Sequence, residues 1–416
     1  MMNSANRLSN IINHMTKTLI FIHYYCKAAF RALFQALATA LVVLLLVGCA
    51  STPKEAPPNE GTSAYPAVVT PPNVVISPSV VTPPSVFVSP PTPSPFPASW
   101  SATPLNALPN FHSDNPLAGW SALQSSCQRL SRQTVWANFC AIVQTGTPSS
   151  NEAAQAILTK HLVAYQQIGE QGSSQGIATG YFEPIYPASL SREGVYQWPV
   201  YAAPEPMTSL SREQLTPASG TVHPAIRGRE LAWMSSSIDA FLAQVQGSTR
   251  ITLPNGSSKR LMFAGKNGQP YVSIANTLVA QGAFTLQQAS MERIRTWAAS
   301  QSPAKVQQVL NTNPSFVFFK WSDTPPELGA VGALGVPLTP LRSVAVDPAF
   351  TPLGTPIWLD TTTANGALSQ LMSAQDTGSA IKGAARVDIY FGTGDAAGAL
   401  AGRQKYPSRV WVLWPK

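Results

Sequence analysis

Arg386-Val387-Asp388-Ile389-Tyr390-Phe391 alternates with a period of two. Successive strand side chains point to opposite faces, so Val387, Ile389 and Phe391 would meet a core while Arg386, Asp388 and Tyr390 share the other side. An Asp beside a Tyr on such a face suits a sugar-binding groove, and an ordinary exposed strand Asp is the alternative. Short strands are also expected at 316–321, 341–346, 355–359 and 409–414, and upstream at 179–184 and 197–201. Many short strands broken by Gly and Pro predict a closed β-barrel or sandwich, not a parallel α/β sheet.

Residues 202–312 have a different texture. A helix is expected near 236–244, and a hairpin across Leu253-Pro254-Asn255-Gly256, because Asn-Gly accepts the positive φ that tight hairpin turns require. A turn at Gly265-Lys266-Asn267-Gly268 and helices over 285–300 and 303–311 complete the region. β-rich sequence that resumes after it predicts an inserted domain and a cleft between the two parts. Ahead of the first strands, apolar residues recur at helical spacing around Trp120, Leu123, Leu130, Val135, Trp136 and Phe139. That spacing predicts two short helices at a bend, with a further helix over 151–167.

The N-terminus reads as an export signal. Leu46-Val47-Gly48-Cys49 closes an apolar run from 36 to 47, preceded by Lys17, Lys27 and Arg31. The run is shorter than the ~20 residues that a membrane-spanning helix needs, but it suits a signal peptide whose mature chain begins at a lipidated Cys49. A short anchor or buried helix is the alternative, and either Met1 or Met15 is the start. From 52 to about 109 the chain is dense in Pro, Ser, Thr and Val, a composition that favours an extended spacer over a core. The organisation expected is a signal over 1–48, a lipid-anchored linker over 49–110, a first barrel part with N-terminal helices over 111–201, an inserted β domain over 202–312 and a second barrel part over 313–416.

Composition narrows the partners. The 416 residues carry a net charge of +8 with only 11% charged residues. A basic balance favours anionic partners such as lipid head groups or cell-wall peptide carboxylates. Without basic runs interleaved with aromatics, nucleic acid is excluded. Beyond Cys26 and Cys49 only Cys127 and Cys140 remain, an even pair that export permits to form a disulfide, with two buried thiols as the alternative. His112, His161 and His223 have no ligand spacing, so neither metal nor cofactor is expected.

Two familiar strings are set aside. Gly172-Ser173-Ser174-Gln175-Gly176 matches a nucleophile elbow, but that motif sits between a strand and a helix, and here the order is reversed. Gly392-Thr393-Gly394 lacks the third dinucleotide glycine, and Asp395 reads as the cap of a helix over 396–402. The chemistry is better sought in Asp347, Asp376 and Asp388. Asp376 stands in a turn-like Gln375-Asp376-Thr377-Gly378, and Asp347 precedes Pro348.

The stretch from Ala374 through Asp376 and Lys382 to Gly383, then Val387-Asp388-Ile389-Tyr390, with Val346-Asp347-Pro348 upstream, resembles the 3D domain with its three aspartates. Thr179-Gly180-Tyr181-Phe182-Glu183-Pro184, Val245-Gln246-Gly247-Ser248, the segment from Phe263 to Gly268 and that from Asn313 to Phe319 resemble the rest of the membrane-bound lytic murein transglycosylase A family. The resemblance spans about 117–414. One departure is Thr249, where the family commonly has Gly after Val245-Gln246-Gly247-Ser248.

The resemblance implies a mainly β fold: a double-psi β-barrel interrupted by a second, inserted β domain, with a few peripheral helices and glycan in the groove between. It implies cleavage of the β-1,4 bond between N-acetylmuramic acid and N-acetylglucosamine in peptidoglycan, without water, leaving a 1,6-anhydromuramic end. Asp388 maps onto the catalytic aspartate. Asp376 and Asp347 map onto the other two, with Thr179, Tyr181, Gln246, Lys382 and Tyr390 as further substrate-binding positions. Tyr181, Trp233, Tyr271 and Tyr390 are candidates for stacking on sugars. The expected location is the periplasmic face of the outer membrane, since Ala50 follows the lipidated Cys, and cell-wall synthesis or hydrolysis complexes are candidate partners. Two rivals stand beside this reading: a barrel that binds glycan without cutting it, and a two-carboxylate hydrolase with Glu183 as second acid.

Overall fold

A computed structural model describes residues 96–416 apart from 170 and 326. The signal, Cys49 and most of the Pro-rich spacer lie outside the described residues. In chain order the strands are β1 (Ala102–Thr103), β2 (Leu162–Gln166), β3 (Gly176–Glu183), β4 (Ile185–Ser189), β5 (Trp198–Tyr201), β6 (Glu230–Met234), β7 (Ser248–Thr252), β8 (Ser258–Lys266), β9 (Val317–Trp321), β10 (Ser343–Val346), β11 (Pro356–Thr363), β12 (Gly366–Thr377), β13 (Val387–Thr393) and β14 (Lys405–Pro415). Pairing β14-β11-β12-β10-β13-β3, with β3 returning to β14, closes a six-stranded barrel. Its interior holds Val344, Ile357, Leu359, Met372, Val387, Ile389 and Val410.

Several barrel strands are apolar on both faces, for a physical reason. Ile357 and Leu359 point inward while Trp358 points out, and Val410 points inward while Trp411 and Leu413 point out. The outward set packs against helices Trp120–Leu130, Thr134–Gln144 and Asn151–His161. The first of these presents Trp120, Leu123, Cys127 and Leu130 along one stripe, the pattern of a surface helix on a core. Cys127 and Cys140 are bonded to each other, with Cα atoms 5.1 Å apart, and staple the first two helices.

The chain between the barrel halves forms a second six-stranded sheet, β5-β6-β4-β7-β8-β9. This sheet draws on residues outside the expected 202–312 span: β4 and β5 precede it and β9 follows it. The turn at Asn255-Gly256 joins β7 to β8, with Thr252 opposite Ser258 and Gly256 at φ 81°. Helices Ser237–Gln246 and Pro303–Asn311 cover the sheet with Phe241, Leu242, Val306 and Leu310.

Four local expectations are corrected. The helix expected to reach 167 stops at His161, because Leu162 turns to extended backbone and β2 pairs with β14. The helix expected over 285–300 is a short turn, Leu286–Gln288, and a helix, Met291–Ala299, separated where the Ser290 side chain accepts from the Arg293 amide. A Ser that bonds the backbone in this way starts helices in preference to continuing them. Asp395 is the first helical residue of Asp395–Ala401 and Gly394 is the cap; the carboxylate sits where the helix N-terminus favours negative charge. Strand β12 has no counterpart among the expected strands, and Asp376 lies in it, not in a turn.

Candidate active site

Strand register assembles the site. Asp388 on β13 faces Thr179 on β3 and Ala345 on β10, and Ala345 in turn faces Asp376 on β12. Paired residues share a sheet face, so Thr179, Asp388, Ala345 and Asp376 form one row across four strands, on the barrel's outer face. The two aspartates are two strand spacings apart, roughly 10 Å between backbones, with only a methyl between them.

A bulge puts Asp376 in that row. Val344 pairs with Ala374 but Ala345 pairs with Asp376, so Gln375 is an extra residue on β12. In unbroken register Asp376 would point to the opposite face, since a shift of one residue reverses a strand's sides. Gln375 is fully buried, its amide donating to Ala122 O and Ser126 Oγ of helix Trp120–Leu130, while its Oε1 accepts from Ser343 Oγ. The stapled helices thereby hold the bulge that aims Asp376. Gly180, between Thr179 and Tyr181, is required for close packing: a Cβ there would lie 2.6 Å from the Phe391 ring and 2.9 Å from Ala401 Cα.

Each aspartate has a distinct environment. Thr179 Oγ1 donates to Asp388 Oδ1 at 2.6 Å, and Arg386 Nη1 donates to Thr179 Oγ1 at 2.9 Å. A guanidinium can only donate, so the threonine proton is left for Asp388. Burial pushes the Asp388 carboxyl up to about 6, against the Thr179 hydrogen bond and Arg386, with Asp376 adding a further push upward. Its Oδ2 accepts nothing from the protein among the described residues, which leaves it as the oxygen to carry a transferable proton. Asp376 is held more fully, Oδ2 accepting from the Tyr181 hydroxyl at 2.8 Å and Oδ1 from the Ala333 and Thr377 amides at 2.9 Å each. Burial raises its carboxyl too, and these donors oppose the rise. Tyr181 is pushed well above its ordinary value by burial and then by Asp376, so it remains a donor.

This arrangement predicts a pH effect. Thr179→Val removes a hydrogen bond that favours ionised Asp388, worth about 1 kcal/mol and so roughly one pH unit. Were Asp388 to act in its protonated form, activity would fall as pH rises through about 6 in the wild type, and the variant's fall would lie at higher pH. A pH–rate profile of kcat/KM checks this; an unmoved or acid-shifted limb would contradict it.

The other expected residues are scattered. Asp347 does not join the row; its Oδ2 accepts from the Gly383 amide at 2.9 Å, its Oδ1 from Ala349, and Lys382 Nζ lies 3.5 Å away. Burial opposes its ionisation, but the Gly383 and Ala349 amides and Lys382 together hold it below the ordinary value, as befits an anion that closes the loop before β13. Tyr390 is buried in contact with Tyr181, its hydroxyl meeting the Ala330 amide and Thr393, which leaves no face for a sugar. Gln246, at the end of helix Ser237–Gln246, accepts from the Phe182 amide and ties the inserted domain to β3 beside Tyr181. Trp233 lines a cavity of the inserted domain, and Tyr271 is part-exposed on that domain.

Glu183 is fully buried, accepting from Arg250 Nε at 2.8 Å, Arg260 Nε at 2.7 Å and Thr393 Oγ1 at 2.9 Å. It bridges the barrel to β7 and β8, buried and held as an anion between two guanidinium groups. Arg386 is a site residue that the sequence expectations omit, although it shares the strand face of Asp388. Arg250 and Arg260 carried no local signal at all.

Residues 177–320 match the MltA specific insert domain and residues 342–414 match the 3D domain. The membrane-bound lytic murein transglycosylase A of Vibrio cholerae is 33% identical over 285 residues, which cover 65% of this chain and 73% of that protein. The chain belongs to the membrane-bound lytic murein transglycosylase A family. The Escherichia coli K12 member is 37% identical over 258 residues, 60% of this chain and 68% of its own. Among solved structures, the lytic transglycosylase LtgG of Burkholderia pseudomallei is 38% identical with a TM-score of 0.55, covering 77% of this chain and 96% of that one. E. coli MltA with bound chitohexaose is 31% identical with a TM-score of 0.60, covering 76% and 91%. The insert match takes in barrel strand β3 as well as the second sheet, and the 3D match takes in barrel strands β10 to β14.

Proposed function

We propose that this enzyme, a peptidoglycan lytic transglycosylase, cleaves the β-1,4 bond between N-acetylmuramic acid and N-acetylglucosamine with Asp388 as the single acid and base, leaving a 1,6-anhydromuramic end. The observation that carries the reading is a raised carboxyl at Asp388 whose Oδ2 has no donor among the described residues, beside an Asp376 already committed to three donors. Protonated Asp388 donates from Oδ2 to the leaving glycosidic oxygen. The carboxylate then takes the proton of the muramic 6-hydroxyl as that oxygen attacks C1. Because attacker and target belong to one sugar, the closure is intramolecular, and held geometry supplies several kcal/mol that a bimolecular attack would lack. Asp376, with Tyr181, orients the glycan, and we take the barrel to be of the double-psi kind.

A hydrolase would need a second carboxylate to activate water. Glu183 is engaged by two arginines and Asp376 by three donors, so neither fits that role. Digesting peptidoglycan and weighing the released muropeptides is the test. Products one water lighter than hydrolytic ones are expected; products of hydrolytic mass would overturn the reading.

Envelope localisation through lipid on Cys49 belongs to the same proposal, supported by the apolar run and the membrane-bound relatives. Cys49→Ser should release the protein from the membrane fraction or leave its signal uncleaved. Wild-type protein found wholly in the soluble periplasmic fraction would refute the anchor.

A further inference from the structure

The inserted domain contains a cavity of about 830 Å³ to which no barrel strand contributes. Trp198, Tyr201, Arg212, Trp233, Phe241 and Phe316 are among its walls. Arg212 is 4% exposed, its Nε donating to Asn313 O and its Nη2 to Gln244 Oε1 and Ser315 O. The guanidinium lies 4.7 Å from the Phe241 ring centroid and 4.9 Å from that of Phe316. Nη1 donates to no acceptor among the described residues. None of the carboxylates described there is within ion-pair distance of Arg212. The Tyr201 hydroxyl is buried and also lacks a partner among the described residues. Arg192 and Arg227 line the same space, against Glu230 as its acid.

A buried cation without a counter-charge costs several kcal/mol unless something supplies one. Burial pushes the Arg212 guanidinium down to about 9, with Tyr271 opposing the fall. The two N–H groups on Nη1 are what a carboxylate could accept, held in a fixed direction by the bonds that Nε and Nη2 make, and the volume is that of a small-ligand site with apolar walls. We propose that this cavity docks a carboxylate of a peptidoglycan stem peptide, with Arg212 as its donor and the aromatic walls against the peptide's apolar part. The inference rests on peptidoglycan as substrate, but not on the chemistry of Asp388. It would let the enzyme hold a peptide-bearing strand through the inserted domain while the barrel handles the glycan.

Calorimetric titration of the full chain in detergent with a synthetic stem peptide is the test. Binding on the order of 1 mM or tighter is expected, weakened at least about tenfold by Arg212→Gln and by Ala218→Trp. Ala218 lies on a loop at the cavity wall, so filling the space there spares the Arg212 contacts to Asn313 and Ser315. Cleavage of peptide-free glycan by Ala218→Trp should equal wild type, while KM for peptide-bearing strands rises. The proposal is overturned if the peptide does not bind, if Ala218→Trp binds it as tightly as wild type, or if a peptide with all carboxylates amidated binds equally. Acetate binding as tightly as the peptide would also overturn it, by assigning the cavity to small carboxylates. Wild type that failed to cut peptide-free glycan would count against the transglycosylase reading alone.

Discussion

Asp388→Asn should abolish turnover almost completely, on the order of a thousandfold or more in kcat, or about 4 kcal/mol of barrier. The amide keeps the shape and still accepts from Thr179, but it cannot release and recover the proton that the proposed mechanism moves twice. Glycan binding should persist, because the row of Thr179, Ala345 and Asp376 is untouched. Stability should not suffer. The folded carboxyl titrates near 6 against an ordinary 3.8, so its ionisation favours unfolding as pH rises across that window. Asn never ionises and escapes that penalty at neutral pH. Release of muropeptides by Asp388→Asn at near wild-type rate would place the acid elsewhere, with Asp376 next to be tested.

Glu183→Ala should cost stability before it costs chemistry. It strips a fully buried carboxylate from between Arg250 and Arg260, the latter 5% exposed, and leaves two cations facing each other where β3 meets β7 and β8. Removing one partner from a buried ion pair typically costs 3–5 kcal/mol, so a fall of about that size is expected in urea unfolding. Protein that remains folded should still give anhydro products. The outcome that would reverse this assignment is unchanged stability with turnover lost as severely as in Asp388→Asn, since that pattern belongs to a second catalytic acid.

Local chemistry alone determined a good deal of this protein. The alternation around Asp388 placed Val387 and Ile389 in the barrel core, the Asn255-Gly256 pair made its hairpin, and two cysteines on adjacent amphipathic helices met. Each of these depends on neighbours no more than 13 residues away. What only the tertiary structure decided depends on partners far away. Leu162–Gln166 is a strand because β14 is there to pair with it. Tyr390 shares the strand face of Asp388 but is sealed beneath Ala330 and Leu338, so the alternation alone overstated its access. Glu183 looked like a free acid until two arginines, 67 and 77 residues away, closed on it. Asp376 reaches the Asp388 row because a buried Gln375, 253 residues from Ala122, is pinned as a bulge. A bulge reverses the side on which a carboxylate lies without changing any residue near it, and the contact that stabilises it comes from another part of the chain.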